Sequence, residues 1–367
     1  MSIWHVMRGE NLIATVESHG KAKVIMPQLM PFDLWLEETY SAENEANIDT
    51  LVNNITNFNF WCASRVLTLD RKYAKEILGS IGASQGKTDK ERAQIALSYH
   101  CLSLTDDFWV KDEAENVSFS KINLFENHLD NAFVDVALRG RSMTVENAHL
   151  IATDTSTSGV FPKAWVRKED GFYLYKDGDR QCVDNEVLAS KICRCFDCNQ
   201  VLYETDEYDG EKVSASKLID GLGTNYSMAT RAAFEIYAVN RDLDPIQEII
   251  RLDAHGYYMM NILDYLVGNT DRHWENWGVL VENSTGKMLR LYDLMDFNQA
   301  FKAYDTEDGA MCQTSLPRHI SQKQAAIEAV KAIGLNQIKE IDMTLFCSRT
   351  QDAAMLERRL QVLRESK

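Results

Sequence analysis

The stretch 257-YYMMNILDYLVG-268 constrains this chain more than any other. It is a strongly apolar helical run, and such a helix belongs inside a core rather than on a surface. It also hands the chain directly to Asn269-Thr270-Asp271, the start of the polar cluster 269-NTDRHWEN-276. A short strand, a turn and a second strand follow, closing in 292-YDLMDFNQAF-301 with two more carboxylates, Asp293 and Asp296. A buried helix that ends in a polar hairpin admits two readings. Asp271 and Asn276 either cap backbone groups in a solvated turn, or they belong to a site with ligands to hold.

The surrounding pattern sets the context. From about residue 150, TSTSGVFPKAWVRKEDGFYLYKDGD reads as a polar loop, a strand over 164–167, an Asp-Gly turn and a strand over 172–176. VDNEVLASKICRCF then has helical spacing, with Val187, Ile192 and Cys195 or Phe196 available for a buried face. VLYETDEYDGEKVSASKLI is a further strand, turn and strand, the second strand spanning 213–218. Beyond residue 226 helices dominate, and DPIQEIIRL opens one with Asp244 as N-cap, Pro245 at the first position and Gln247 to close a capping box. Residues 1–150 look mixed and largely helical in the middle, where Thr88 and Glu91 form a capping-box signal. No chemical motif stands out in that third.

Composition narrows the partners. The formal net charge is −16, from 55 acidic against 39 basic residues, so the chain repels polyphosphate backbones and direct nucleic-acid binding is not expected. An anionic ligand would have to enter with a cation or meet a locally positive pocket. The N-terminal segment lacks the apolar stretch of a signal peptide, and no run approaches the roughly 18 apolar residues of a membrane span. Of the eight cysteines, Cys193, Cys195 and Cys198 cluster, but no second pair or nearby His stands at zinc-ligand spacing. Reduced thiols and a cytoplasmic home are the expectation.

Phosphoryl transfer needs a carboxylate to orient the attacking hydroxyl and an oxygen ligand a few residues on to hold magnesium against the phosphates. Asp271, followed five residues later by Asn276 in a loop leading into a strand, supplies both from one segment. A second metal-binding Asp should close the following hairpin, as the Asp of D-F-G does in ordinary kinases. Asp293 and Asp296 both qualify by distance, and on a strand their three-residue separation would turn them to opposite faces. Asp296 opens D-F-N and is preferred; Asp293 is the runner-up.

The cluster NTDRHWEN resembles the catalytic loop of HipA-like serine/threonine kinases, whose core pattern is N-T-D-x-H-x-x-N. Its D-R-H-x-x-N form is also similar to that of phosphoinositide kinases. VDNE at 183–186 resembles the helix that carries an acidic partner for the ATP lysine, and SGVFPKA at 158–164 resembles the phosphate loop G-x-Q-x-K, with Phe161 where that family usually has Gln. The motifs run in order over about 150–300, and residues 1–150 show no counterpart to them.

The resemblance implies an α+β, two-lobed protein-kinase-like fold of HipA type. Residues 1–150 would be an N-terminal extension, 151–218 the small lobe and 219–367 the helical large lobe. It implies ATP and Mg2+ as cofactors, with Asp271 as base, Asn276 and Asp296 as metal ligands, and Lys176 as phosphate anchor held by Glu186, ten residues on. Lys168, at a hairpin turn, is the rival lysine. Ser158, Gly159, Val160, Phe161, Pro162 and Lys163 would cradle phosphate, and Ser216, Lys217 and Leu218 would meet the adenine. His273 would brace the loop beside the nucleotide, and Ser156 would be an autophosphorylation site whose phosphate repels ATP. The implied partners are a protein substrate such as a translation factor and a small antitoxin. A small-molecule or lipid-headgroup kinase and a nucleotide-binding pseudokinase are the alternatives; the lack of a basic amphipathic or membrane segment weighs against lipid.

Overall fold

The structure, a computed structural model, describes residues 2–39, 47–66, 88–126, 162–221, 223–302 and 306–366. In chain order the principal elements begin with β1 (Ile3–Arg8), β2 (Asn11–Glu17), β3 (Ala22–Val24), α1 (Ile48–Ser64), α2 (Asp89–Ser98), β4 (Phe108–Asp112) and the single-turn α3 (Phe119–Ile122). They continue with β5 (Lys163–Lys168), β6 (Gly171–Lys176), α4 (Arg180–Cys193), β7 (Tyr203–Tyr208), β8 (Glu211–Lys217), β9 (Tyr226–Thr230) and α5 (Arg231–Val239). The last are α6 (Pro245–Val267), β10 (Gly278–Glu282), β11 (Met288–Leu291), α7 (Gln322–Ile333) and α8 (Thr350–Glu365).

Two compact units share the chain. The first holds residues 1–175, 218–242 and 280–288, the second residues 176–217, 243–279 and 289–367. In the first unit an antiparallel sheet runs in the order β3-β2-β1-β4, with Trp4 opposite both Val16 and Asp112. Val6, Ile13, Val16, Trp109 and Val110 of these strands are buried, the consecutive Trp109 and Val110 on opposite faces of the sheet. The capping box on α2 is complete: Thr88 accepts from the Glu91 amide and the Glu91 carboxylate accepts from the Thr88 amide. A second apolar cluster gathers Leu104, Leu124, Trp165 and Phe172.

The second unit carries the helix that dominates the sequence. Asp244 accepts from the Ile246 and Gln247 amides, and Pro245 sits at the first helical position, where its missing N–H costs nothing. The two helical runs of the sequence join into one α6, kinked at Asp253. There the Asp253 carboxylate takes the Gly256 amide at 2.8 Å and the Leu291 amide at 3.0 Å, restarting the helix like an N-cap and fastening it to β11. From Met259 to Val267 every side chain is buried, which accounts for the lack of a polar face. Each large apolar side chain there contributes on the order of 1.5–3 kcal/mol by leaving water. Helices α7 and α8 pack against α6.

The β7–β8 hairpin turns at Asp209-Gly210, both with positive φ (54° and 78°), which matches the right-handed strand twist. Its register pairs Tyr203 with Ser216. Helix α4 packs on both strands and buries Val187 and Ile192, with Cys195 and Phe196 buried just beyond its end. The eight cysteines are free thiols.

Helix α6 stops at Gly268, whose φ of 62° and ψ of 41° turn the chain left-handed. The Gly268 amide donates to the Tyr265 carbonyl at 3.2 Å and the Asn269 amide to the Asp264 carbonyl at 2.9 Å, the paired bonds of a Schellman ending. A Cβ at residue 268 would lie 3.1 Å from Arg359 Nη1 and 3.2 Å from Met355 Cε. Gly268→Ala should therefore cost about 1–2 kcal/mol, the usual penalty of a left-handed non-glycine residue. Urea unfolding measures it, and an unchanged midpoint would show that this cap is not under conformational constraint.

Candidate active site

Lys176, the last residue of β6, stands at the centre of a buried polar group in the second unit. Its ammonium lies 2.7 Å from Glu186 Oε1 on α4 and 3.2 Å from Asp296 Oδ1. The second Glu186 oxygen accepts from Ser214 Oγ of β8 at 2.5 Å, so both carboxylate oxygens are engaged. Burial disfavours the ammonium, but the Asp296 and Glu186 carboxylates outweigh it and hold the Lys176 pKa well above its ordinary value. This lysine stays charged at neutral pH. Lys168, by contrast, is exposed, with its ammonium 4.4 Å from the Tyr173 ring centroid.

Asp293 and Asp296 have different surroundings, though not for the reason the strand pattern suggests. Strand β11 ends at Leu291, so neither residue is on it and side-chain alternation does not separate them. Asp293 turns to Arg290 at 2.6 Å. Asp296 takes a left-handed φ of 59° that aims its carboxylate at Lys176, while its amide donates to Tyr203 Oη at 3.1 Å.

The loop after Gly268 is held from beneath by Arg272. This guanidinium is buried and forks onto Asp264 of α6, with Nε at 2.9 Å from Oδ2 and Nη2 at 2.8 Å from Oδ1. Its Nη1 donates to the Asn276 carbonyl at 3.0 Å and to the Met295 carbonyl at 2.5 Å. One side chain thus ties the end of α6, the loop carrying Asp271 and Asn276, and the residue before Asp296. Burial works against its charge, and Asp264 outweighs that effect and raises the Arg272 pKa. Asn269 adds a bond to Asp264 Oδ1 at 3.0 Å, and Gln322 Nε2 donates to the Asn269 carbonyl at 2.5 Å.

His273 is exposed, and its Nδ1 accepts the Glu275 amide of the same loop at 3.1 Å. Two positions earlier, Asp271 is half-buried, with no side-chain hydrogen bond or ion pair among the described residues. The Asn276 amide nitrogen donates to the Asp271 carbonyl, which fixes the amide and leaves Oδ1 buried with no hydrogen-bond partner among the described residues. A buried acceptor without a donor is costly, and a hard cation would satisfy it. Among the described residues no three His, Cys, Asp or Glu side chains converge as a closed metal cage. Magnesium does not require one, because it takes one or two protein oxygens and completes its shell with phosphate and water. Asn276 and Asp296 fit that requirement.

The other expected contacts are distributed differently. Ser156, Ser158, Gly159, Val160 and Phe161 lie outside the described residues. Pro162 is buried and Lys163 opens β5, both in the first unit. Ser216 is buried and Lys217 exposed at the end of β8. The Leu218 amide already donates to the Phe172 carbonyl at 2.8 Å, so that donor is spent and an adenine would have to use other groups.

Arg272, Asp264, Ser214 and Tyr203 are site residues not expected from the sequence. Asp264 carried a signal, since a lone carboxylate inside an apolar helix must find a cation. Tyr203 and Ser214 carried none.

No protein-family model matches the chain, and no curated protein matches it in sequence. Solved structures resemble it in fold. HipA from the Shewanella oneidensis MR-1 toxin–antitoxin complex of HipA, HipB and operator DNA aligns over 99% of this chain and 99% of its own, at 12% identity and a TM-score of 0.54. This chain has the HipA-like kinase fold. The proinflammatory kinase CtkA of Helicobacter pylori aligns over 56% of this chain and 89% of its own, at 14% identity and a TM-score of 0.43. The alignment with HipA thus extends beyond the part of the chain over which the sequence motifs run.

Removing the carboxylate charge at Asp264 leaves a guanidinium buried without its counter-ion, a change that typically costs about 3–5 kcal/mol. Asp264→Asn should lower the urea midpoint accordingly. An Asp264→Asn protein as stable as the parent would mean that the loop does not depend on this pair.

Proposed function

We propose that this chain is an ATP- and magnesium-dependent serine/threonine protein kinase of HipA-like type. The observation that carries the proposal is the buried cluster in which Lys176 stands between Glu186 at 2.7 Å and Asp296 at 3.2 Å. A lysine held charged by a helix glutamate, beside a carboxylate from the loop after the hairpin, is what binding of nucleotide phosphates requires.

Lys176 would engage the phosphates while Glu186, fixed by Ser214, keeps its ammonium in place. Asn276 Oδ1 and the Asp296 carboxylate would hold magnesium. When bound, that ion neutralises charge on the phosphates. Asp271 would orient a serine or threonine hydroxyl and accept its proton as the hydroxyl oxygen bonds to the γ-phosphorus. The bond from that phosphorus to the bridging oxygen breaks, and ADP leaves. Arg272 keeps the Asp271 loop and the Asp296 segment in register throughout.

The wider reading follows from the HipA likeness and from composition. The substrate would be a protein such as a translation factor, Ser156 would be the autophosphorylation site, and a small antitoxin would be the partner. With a net charge of −16, any operator contact would fall to that partner. Among the described residues no helix is long and apolar enough to cross a membrane, and we place the chain in the cytoplasm.

Magnesium-ATP should raise the melting temperature by mass action. Lys176→Ala should lose most of that shift and Lys168→Ala should keep it; equal shifts would remove Lys176 from the nucleotide site. Asp271→Asn should bind ATP nearly as well as the parent yet lose turnover by at least ~10²-fold, at the low end for loss of a general base. Asp296→Asn should abolish turnover while Asp293→Asn retains much of it. If labelled ATP gives neither a phosphoprotein nor turnover above that of Asp271→Asn, the kinase proposal falls to a nucleotide-binding pseudokinase.

A further inference from the structure

We infer that Tyr203 is a positioning residue that presets Asp296 for metal and couples it to Lys176 and helix α4. The inference rests on the kinase reading for the role given to Asp296, and on three contacts made by this one residue. The phenol oxygen accepts the Asp296 amide at 3.1 Å. The ring lies 5.1 Å from the Lys176 ammonium, within cation–π range. The Tyr203 amide donates at 3.2 Å to Ser190 Oγ, one helical turn beyond Glu186.

Asp296 gives this arrangement its purpose. Its φ of 59° is uncommon for a residue with a side chain, and such a conformation persists only where the surroundings impose it. A hydrogen bond from its own amide to a rigid phenol fixes the peptide plane before Asp296, and with it the direction of the carboxylate. Tyr203 is 2% exposed and starts β7, where pairing with Ser216 of β8 holds its backbone. It therefore has little freedom to follow Asp296 elsewhere. The side chain touches neither the proposed metal nor the reacting atoms. It acts through Asp296, as groups hydrogen-bonded to metal ligands do.

Tyr203→Phe removes the acceptor oxygen and keeps the ring beside Lys176. The readout is Mn2+ binding, followed by electron paramagnetic resonance on the full-length protein saturated with a non-hydrolysable ATP analogue. The dissociation constant for Mn2+ should rise about tenfold, as for loss of other groups that orient metal ligands. Affinity for the analogue without metal should stay unchanged. A purely structural tyrosine would lower stability and leave that split unmoved, so wild-type Mn2+ affinity in Tyr203→Phe overturns the inference. Should Tyr203→Phe fail to fold, a fluorinated tyrosine at residue 203 weakens the acceptor without changing its shape. A smaller rise then supports the inference, and no rise overturns it. Wild-type protein that binds Mn2+ and the analogue but transfers no phosphate defeats the kinase reading alone. Wild-type protein that binds no metal with the analogue defeats both.

Discussion

The forked ion pair between Arg272 and Asp264 is the interaction on which the site depends. Each partner is nearly inaccessible to solvent, and burying two charges costs several kcal/mol per ion before their attraction is counted. Such a pair is a weak source of net stability. Its contribution is geometric. A planar guanidinium with five donors can meet a carboxylate edge and two backbone carbonyls at once, whereas a lysine could not. In this chain those carbonyls belong to Asn276 and Met295, so the fork sets the loop of Asp271 and the approach to Asp296 from one point on α6.

A second electrostatic arrangement lies beside it. The chain carries a net charge of −16, yet on the proposed function the site would have to attract an anion. Lys176 answers this locally, because two carboxylates raise its pKa and keep it cationic despite burial. The same carboxylates would partly cancel its pull on phosphate, and on the proposed function a cation shared by Asp296 would offset that. The left-handed backbone at Asp296, which costs on the order of 1–3 kcal/mol, is strain kept where the surroundings over-determine it.

The Lys176–Glu186 pair and the Asp271–Asn276 loop were legible as candidates because their residues come in short segments with fixed spacing. Asp271 and Asn276 share one loop, and Lys176 and Glu186 are separated by one turn and the start of a helix. The apolar run before Gly268 announced a buried helix, and the Thr88 and Asp244 caps stand where their side-chain chemistry put them. Where the reading went astray, the cause was non-local. Arg272 was not singled out in the sequence, yet the loop geometry directs it inward onto Asp264 and leaves its neighbour His273 in solvent. Strand alternation was applied to Asp293 and Asp296 beyond the end of β11.

The sequence by itself determined where helices start and stop, which helix is buried, and which local groups could serve phosphoryl transfer. Those properties depend on periodicity, capping and spacing, all of which act within a few residues. Tertiary structure alone decided that Lys176 meets Asp296 rather than Asp293, that Asp264 is the counter-ion of Arg272, and that Tyr203, far from both in sequence, receives the Asp296 amide. Pairings of this kind join residues 8 to 120 positions apart. Their partners are chosen by how buried elements close over them, and no local pattern encodes that choice.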